Sequence, residues 1–206
     1  MKVLAVGAHP DDIELGCGGT LAAHVLRGDR VTMLMMTDGK SGPGNVAQRI
    51  TEQENAAKLL GVDLMWGNVP DGMVANYEQM ALHVVESALA ITGATRMYTH
   101  SNDDSHQDHR AVALLSFGAA RNLSEVLAYD SPSSRHFNPN LFVDITETLD
   151  CKLEALQCHA SQVEASNRVD IEFVRAQAVF RGGLVRTGAA EGFQVERMVL
   201  RIGGFE

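Results

Sequence analysis

Two short polar clusters in this 206-residue chain hold side chains of the kinds that metal-assisted hydrolysis uses: His9-Pro10-Asp11-Asp12 and Asp104-Ser105-His106-Gln107-Asp108-His109. His9 and Asp12 are three residues apart, and so are His106 and His109. At the start of a helix that spacing lets two side chains face one point. Two imidazoles and one carboxylate make an open three-ligand site of the catalytic zinc kind, with a fourth place left for water. The same donors suit ferrous iron or another divalent ion. An ion in such a site lowers the pKa of water to ~7 and polarises a carbonyl. Asp11 is the carboxylate to spare, available as a general base.

The elements around these clusters must bring them together. Lys2 to Ala8 reads as a short buried strand, so the first cluster sits at a strand's carboxyl end. Arg96 to Thr99 reads as another strand, and the second cluster follows it. Between and beyond them strand and helix signals alternate. Helices are expected over 12–27, 46–60, 77–91, 106–121, 149–163 and 171–181. Strands are expected over 31–36, 63–66, 126–129, 141–145 and, weakly, 193–202. Asp11 or Asp12 is a plausible N-cap for the first helix, and Gly61 a stop for the second. Repeated strand–helix units imply an α/β fold, a mostly parallel sheet with helices on both faces. In such sheets ligands bind outside the carboxyl ends of the strands, where both clusters would lie. Residues 1–206 are expected to form a single domain.

Composition narrows the classes of function. Hydrophobic residues make up 45% and charged residues 21%, ordinary for a globular protein. A net charge of −9 argues against nucleic acid or an anionic membrane as partner. No apolar run reaches the ~20 residues of a membrane span, and the apolar start is too short for a signal peptide, so a cytoplasmic location is expected. The three cysteines, Cys17, Cys151 and Cys158, have no zinc-ribbon spacing and are expected to be free thiols. Gly16-Cys17-Gly18-Gly19 invites a dinucleotide fingerprint, but Leu21 stands where the last glycine belongs. Those glycines are better explained by close packing of the helix on the sheet. No G-x-S-x-G nucleophile elbow occurs. His24 and His83 fall inside amphipathic helices and are read as packing or surface residues, whereas His100 and His136 are left undecided. Either cluster alone could be a turn and a cap; the pair at two strand ends is harder to explain structurally.

At these residues the chain resembles the PIG-L/LmbE-like family of zinc-dependent N-deacetylases. The likeness rests on "AHPDDIELGCGGTLA" and "DDSHQDHRAV", with further matches at "RITEQENAAKLLGV", "PDG" at 70–72, "NPNLFVDITETLDCKLEALQCHASQV" and "AEGFQVER". It implies a Rossmann-like α/β fold that removes an acyl group, acetyl above all, from an amino sugar or related small molecule. It implies one Zn2+ per chain on His9, Asp12 and His109, with Asp11 as general base. His106 would assist at the oxyanion or leaving group, Asp108 would orient His106, and Arg49 would contact substrate. One family branch places a tyrosine just before the second motif; here that position is Asp104, which leaves Arg49 or a cationic His106 for the oxyanion. A homo-oligomer is expected, as family members are often oligomeric. Two other functions fit the same residues: an amidase acting on a thiol-sugar conjugate, and a non-catalytic metal- or sugar-binding module. Retention of Asp11 beside a full ligand set disfavours the binding module, which has no use for a base.

Overall fold

The computed structural model describes residues 1–164 and 169–199. Its centre is a seven-stranded sheet in the order β3-β2-β1-β4-β5-β7-β6. The strands are β1 (Lys2–Gly7), β2 (Arg30–Met35), β3 (Asp63–Trp66), β4 (Arg96–His100), β5 (Glu125–Tyr129), β6 (Leu141–Asp144) and β7 (Ala190–Arg197). The first five run parallel; β7 pairs antiparallel with both β5 and β6. The expected mostly parallel α/β sheet is therefore what forms.

Both faces of the sheet are covered, so β1 and β2 are buried at every position but the first and are mostly apolar. Val3, Ala5, Met33 and Met35 pack on one face with residues of α1 (Asp12–Leu26) and α2 (Val46–Leu60). Leu4, Val6, Leu34 and Met36 pack on the other with α3 (Glu78–Thr92) and α4 (Gln107–Ala119). A third cluster joins α5 (Leu149–Gln157) and α7 (Ile171–Val185). Strand order reverses between β1 and β4: the chain winds outward through β2 and β3 on one side and through β5 on the other. That switch point opens a crevice at the strands' carboxyl ends, between the two segments that carry the polar clusters.

Some boundaries differ from the sequence reading. The helix expected over 149–163 breaks near Cys158, and a short α6 (Ala160–Val163) follows. The last helix runs on to Val185. The final strand starts earlier, at Ala190, and ends at Arg197; the expected 200–202 end lies outside the described residues. A 3-10 turn over Val74–Tyr77 had no sequence signal. No helix among the described residues is long and apolar enough to cross a membrane. The three cysteines are free, with Cys17 fully buried.

The glycine-rich helix α1 is not regular. Cys17 has φ −147° and ψ 17°, which kinks the helix between its two halves. In an unbroken helix the Gly19 N–H would donate to the Leu15 carbonyl. Here the Gly19 and Thr20 N–H groups donate to Glu191 at 3.0 and 2.7 Å, and the Leu15 carbonyl accepts from Lys152 Nζ at 2.7 Å. Lys152 and Glu191, both buried, pair with each other. A buried ion pair thus replaces the backbone bond that the kink removes. Gly16 sits over the Tyr129 ring: a Cβ there would come within 2.1 Å of a ring carbon, so only glycine fits.

Lys152→Met should therefore cost about 3–5 kcal/mol, because Glu191 would stay buried without its countercharge. Urea denaturation followed by circular dichroism reads this directly. A loss below about 1 kcal/mol would show that the pair does not carry the kink.

Candidate active site

The site begins with a strained residue. Asp11, in the tight turn from β1 into α1, has φ 100° and ψ −25°, the left-handed region that a side chain disfavours. It occupies the N-cap position, yet its side chain makes no cap bond. The Pro10–Asp11 peptide group is held at both its polar atoms from α2. Its own N–H donates to Gln53 Oε1 at 3.3 Å, and the Pro10 carbonyl accepts from Arg49 at 2.7 Å. Glu14 accepts from Gln53 Nε2 at 2.6 Å, which fixes the amide's orientation. Strain of this kind costs of order 1–3 kcal/mol and persists where surrounding bonds enforce it.

Asp12 points the other way and lies among three imidazoles. Its Oδ2 accepts the His9 N–H at 2.7 Å and is 3.3 Å from both His9 Nδ1 and His100 Nε2. Its Oδ1 is 3.3 Å from His109 Nε2. The two sequence clusters therefore converge on one carboxylate. His9 Nε2 in turn faces Asp71 at 3.1 Å and Asp108 at 3.3 Å. His109 Nδ1 faces Asp104 at 3.2 Å.

This crowding of carboxylates sets the charge of the site. Burial alone would lower the His109 pKa; the Asp12 charge and hydrogen bonds to Asp104 and Asp12 overturn that and lift it to about 9. His9 likewise rises well above its usual value against burial, through Asp108, Asp12 and Asp71. Burial would raise Asp12, but His109 and His100 hold it well below the usual carboxylate range. The site thus attracts positive charge, which a divalent cation supplies. Donor atoms of His9, His106 and His109 lie within 4.8 Å of one another, as do those of Asp12, His100 and His109. Either set could hold a divalent metal ion, and the two share His109.

Two expectations need correction. Asp108 does not orient His106. Its carboxylate bonds His9 and the N–H groups of Gly72 and Val74, at 3.3, 2.8 and 3.2 Å. Only its backbone N–H reaches His106, donating to Nδ1 at 3.2 Å. Nor does the structure favour a cationic His106, because burial and the positive charges of His109 and His9 lower its pKa. Arg49, expected to contact substrate, lines the cleft, and its guanidinium donates to the Gly39 and Pro10 carbonyls, both at 2.7 Å.

Other residues at the site went unassigned from sequence. His100 is fully buried, stacks on His109 at 4.1 Å between centroids, and accepts the Ala8 N–H on Nε2. Asp71, Asp104 and Gln53 also lie there, each inside a stretch that carries the family resemblance but with no role read for it. The undecided His136 pairs with Asp103 on the surface. His24 is buried and bonds Asp29 and Tyr98, a packing role.

Asp11, Asp12, His9, His106 and His109 open onto a cleft of about 510 Å³, walled also by Leu15, Ser133 and Val169. A cleft of that size suits a small molecule. Burial, and then the Asp12 charge, raise the Asp11 carboxyl to about 7 against the opposing pull of His159, Arg49 and His9.

Clustered His and Asp donors beside a carboxylate that opens onto a cleft, at the switch point of an α/β sheet, are the arrangement of a candidate hydrolytic site. Residues 4–120 match the model of the PIG-L family, described as GlcNAc-PI de-N-acetylase, and the chain belongs to that family. The uncharacterised deacetylase YaiS of Escherichia coli K12 is 36% identical over 170 residues, covering 77% of this chain and 90% of that one. Diacetylchitobiose deacetylase of Thermococcus kodakarensis is 26% identical, covering 94% and 82%. The crystal structure of the conserved protein TT1542 from Thermus thermophilus superposes with a TM-score of 0.86 at 27% identity, covering 97% and 96%.

The strain at Asp11 gives a stability test. Asp11→Gly relieves both the left-handed backbone and the like charge beside Asp12, at a chain-entropy cost of about 1 kcal/mol. The ion-free variant should gain of order 1 kcal/mol, read as a higher Tm in calorimetry. A lower Tm would mean that the turn is not strained.

Proposed function

We propose that the protein hydrolyses the N-acetyl amide of an amino sugar, releasing acetate and the free amine, with zinc held by His9, Asp12 and His109. The observation that carries this is the Asp11 carboxylate. Among the described residues nothing hydrogen-bonds to it, and it opens onto the cleft beside the three donors. The ring nitrogens support this choice of ligands. His100 Nε2 accepts the Ala8 N–H, and His106 Nδ1 accepts the Asp108 N–H, which leaves its Nε2 protonated when the ring is neutral. His9 faces Asp71 and Asp108 with Nε2, so its Nδ1 lone pair is left toward Asp12. His109 presents Nε2 to the same carboxylate.

A zinc ion bound there supplies a Lewis acid for the acyl carbonyl and a water of lowered pKa. Asp11 takes the proton of the attacking water as oxygen adds to the acyl carbon. The same carboxyl then hands that proton to the amine nitrogen as the C–N bond breaks. His106, at the rim, donates Nε2–H toward the developing oxyanion as a neutral imidazole. Arg49 acts through the backbone, holding the Pro10 carbonyl and so the turn that aims Asp11. Asp108 steadies His9. The acetyl group and the sugar are supported by the de-N-acetylase description of the family and by the diacetylchitobiose deacetylase relative.

Incubating the zinc-loaded protein with N-acetylglucosamine, its disaccharide and nucleotide-linked forms, and assaying acetate and new primary amine, tests the reaction. Release of neither from any of them would refute it. Asp11→Asn should retain about one ion per chain and lose at least ~10²-fold in kcat, the lower bound for a general base. His109→Ala should lose most of the ion, measured by elemental analysis.

A further inference from the structure

Asp104 is fully buried, and nothing in the hydrolytic scheme above uses it. We propose that Asp104 is the positioning residue that fixes the ring and tautomer of His109, so that Nε2 is the nitrogen offered to the ion. The proposal rests on the reading of His109 as a ligand.

Asp104 Oδ2 lies 3.2 Å from His109 Nδ1. An ionised carboxylate can only accept, so Nδ1 must carry the proton. Nε2 faces Asp12 Oδ1 at 3.3 Å, and when it gives up its own proton to an ion it is the nitrogen with the free lone pair. The hydroxyls nearby could have undone this. Ser131 Oγ and Ser133 Oγ lie 3.3 and 3.2 Å from the same Nδ1, and a hydroxyl can donate as well as accept. Ser131 instead donates to Asp104 Oδ2 at 2.5 Å, and Ser134 Oγ does so at 3.2 Å. The Ser131 proton is spent on the carboxylate, so in its 2.9 Å contact with Ser133 Oγ the Ser133 hydroxyl is the donor, which leaves neither proton for Nδ1 and makes Nδ1 the donor.

Asp104 is itself well anchored. Its Oδ1 accepts the His106 N–H at 2.7 Å, at the entry to α4. Its backbone bridges to Ser134 across the crevice. One carboxylate therefore ties the helix that carries His109 to the loop whose Ser133 walls the cleft. Carboxylate partners of this kind, when lost, typically cost about 10–100-fold in metal affinity.

Asp104→Asn preserves shape but lets an amide NH2 donate to Nδ1, which favours the tautomer that cannot ligate through Nε2. Zinc affinity is measured by competition with a chromophoric chelator, and folding by thermal melts of the ion-free proteins. The expected result is a Kd raised about 10–100-fold in Asp104→Asn with the fold retained, and a smaller rise in Ser131→Ala. Wild-type affinity in Asp104→Asn overturns the proposal while leaving the ligand assignment standing. Absence of zinc binding by the wild type overturns both. Long-range ¹H–¹⁵N spectra of the zinc-loaded wild type keep the test open should Asp104→Asn fail to fold. His109 must show its proton on Nδ1, and a proton on Nε2 overturns the proposal.

Discussion

The structure turns on one carboxylate in contact with three imidazoles. Asp12 reaches His9, His100 and His109, each at 3.3 Å, in a place nearly closed to water. Asp71, Asp104 and Asp108 crowd the same rings from behind. Such a collection of negative charge is expensive to bury unless positive charge is found for it. The upward drive on His9 and His109, against their burial, shows that demand. A divalent cation carries the same two positive charges as two protons and can stand in their place.

That arrangement constrains the backbone beneath it. Asp11 and Asp12 must point in different directions from adjacent positions, one free toward the cleft and one into the histidines. A left-handed residue at Asp11 achieves this. The helix behind is then kinked at Cys17, and its broken backbone groups are met by Lys152 and Glu191, from elements far along the chain. Gly16 lets the bent helix settle on Tyr129, whose hydroxyl donates to the Val6 carbonyl of β1. The turn that carries Asp11 is thus backed by a chain of contacts from β7 to β1.

Where signals are local, the sequence was sufficient. Apolar runs ending in polar clusters placed β1 and β4 and their carboxyl ends, because strand burial and the position of the switch point follow from pattern and connectivity. The parallel sheet and the convergence of His9, Asp12 and His109 came with them. What pattern could not show was direction. Asp108 looks equally able to serve His106, its helix neighbour, or His9, across the crevice; tertiary packing chose His9. Lys152 in a helix resembles any surface lysine, and its burial is set by a kink that no propensity encodes. The break near Cys158 is similar: His159 is fully buried, 3.5 Å from Glu14, and packing ended a helix that periodicity would have continued.

The division of labour among the aspartates is what separates catalysis from mere binding here. Asp12 is engaged with three rings, Asp71 with His9 and the Ser41 N–H, Asp104 with His109 and two serines, and Asp108 with His9 and two backbone N–H groups. Each of these carboxylates is committed to holding something in place, and hydrogen bonds of that kind favour the ionised form and make a poor proton acceptor. Asp11 alone is excused. Burial and then the Asp12 charge push its proton affinity up toward neutrality, which suits the general-base role proposed for it. A site built only to hold an ion would gain from a fifth committed carboxylate, or from a glycine at that strained position. Keeping a strained, unpartnered aspartate there makes sense when its oxygen atoms are reserved for a water.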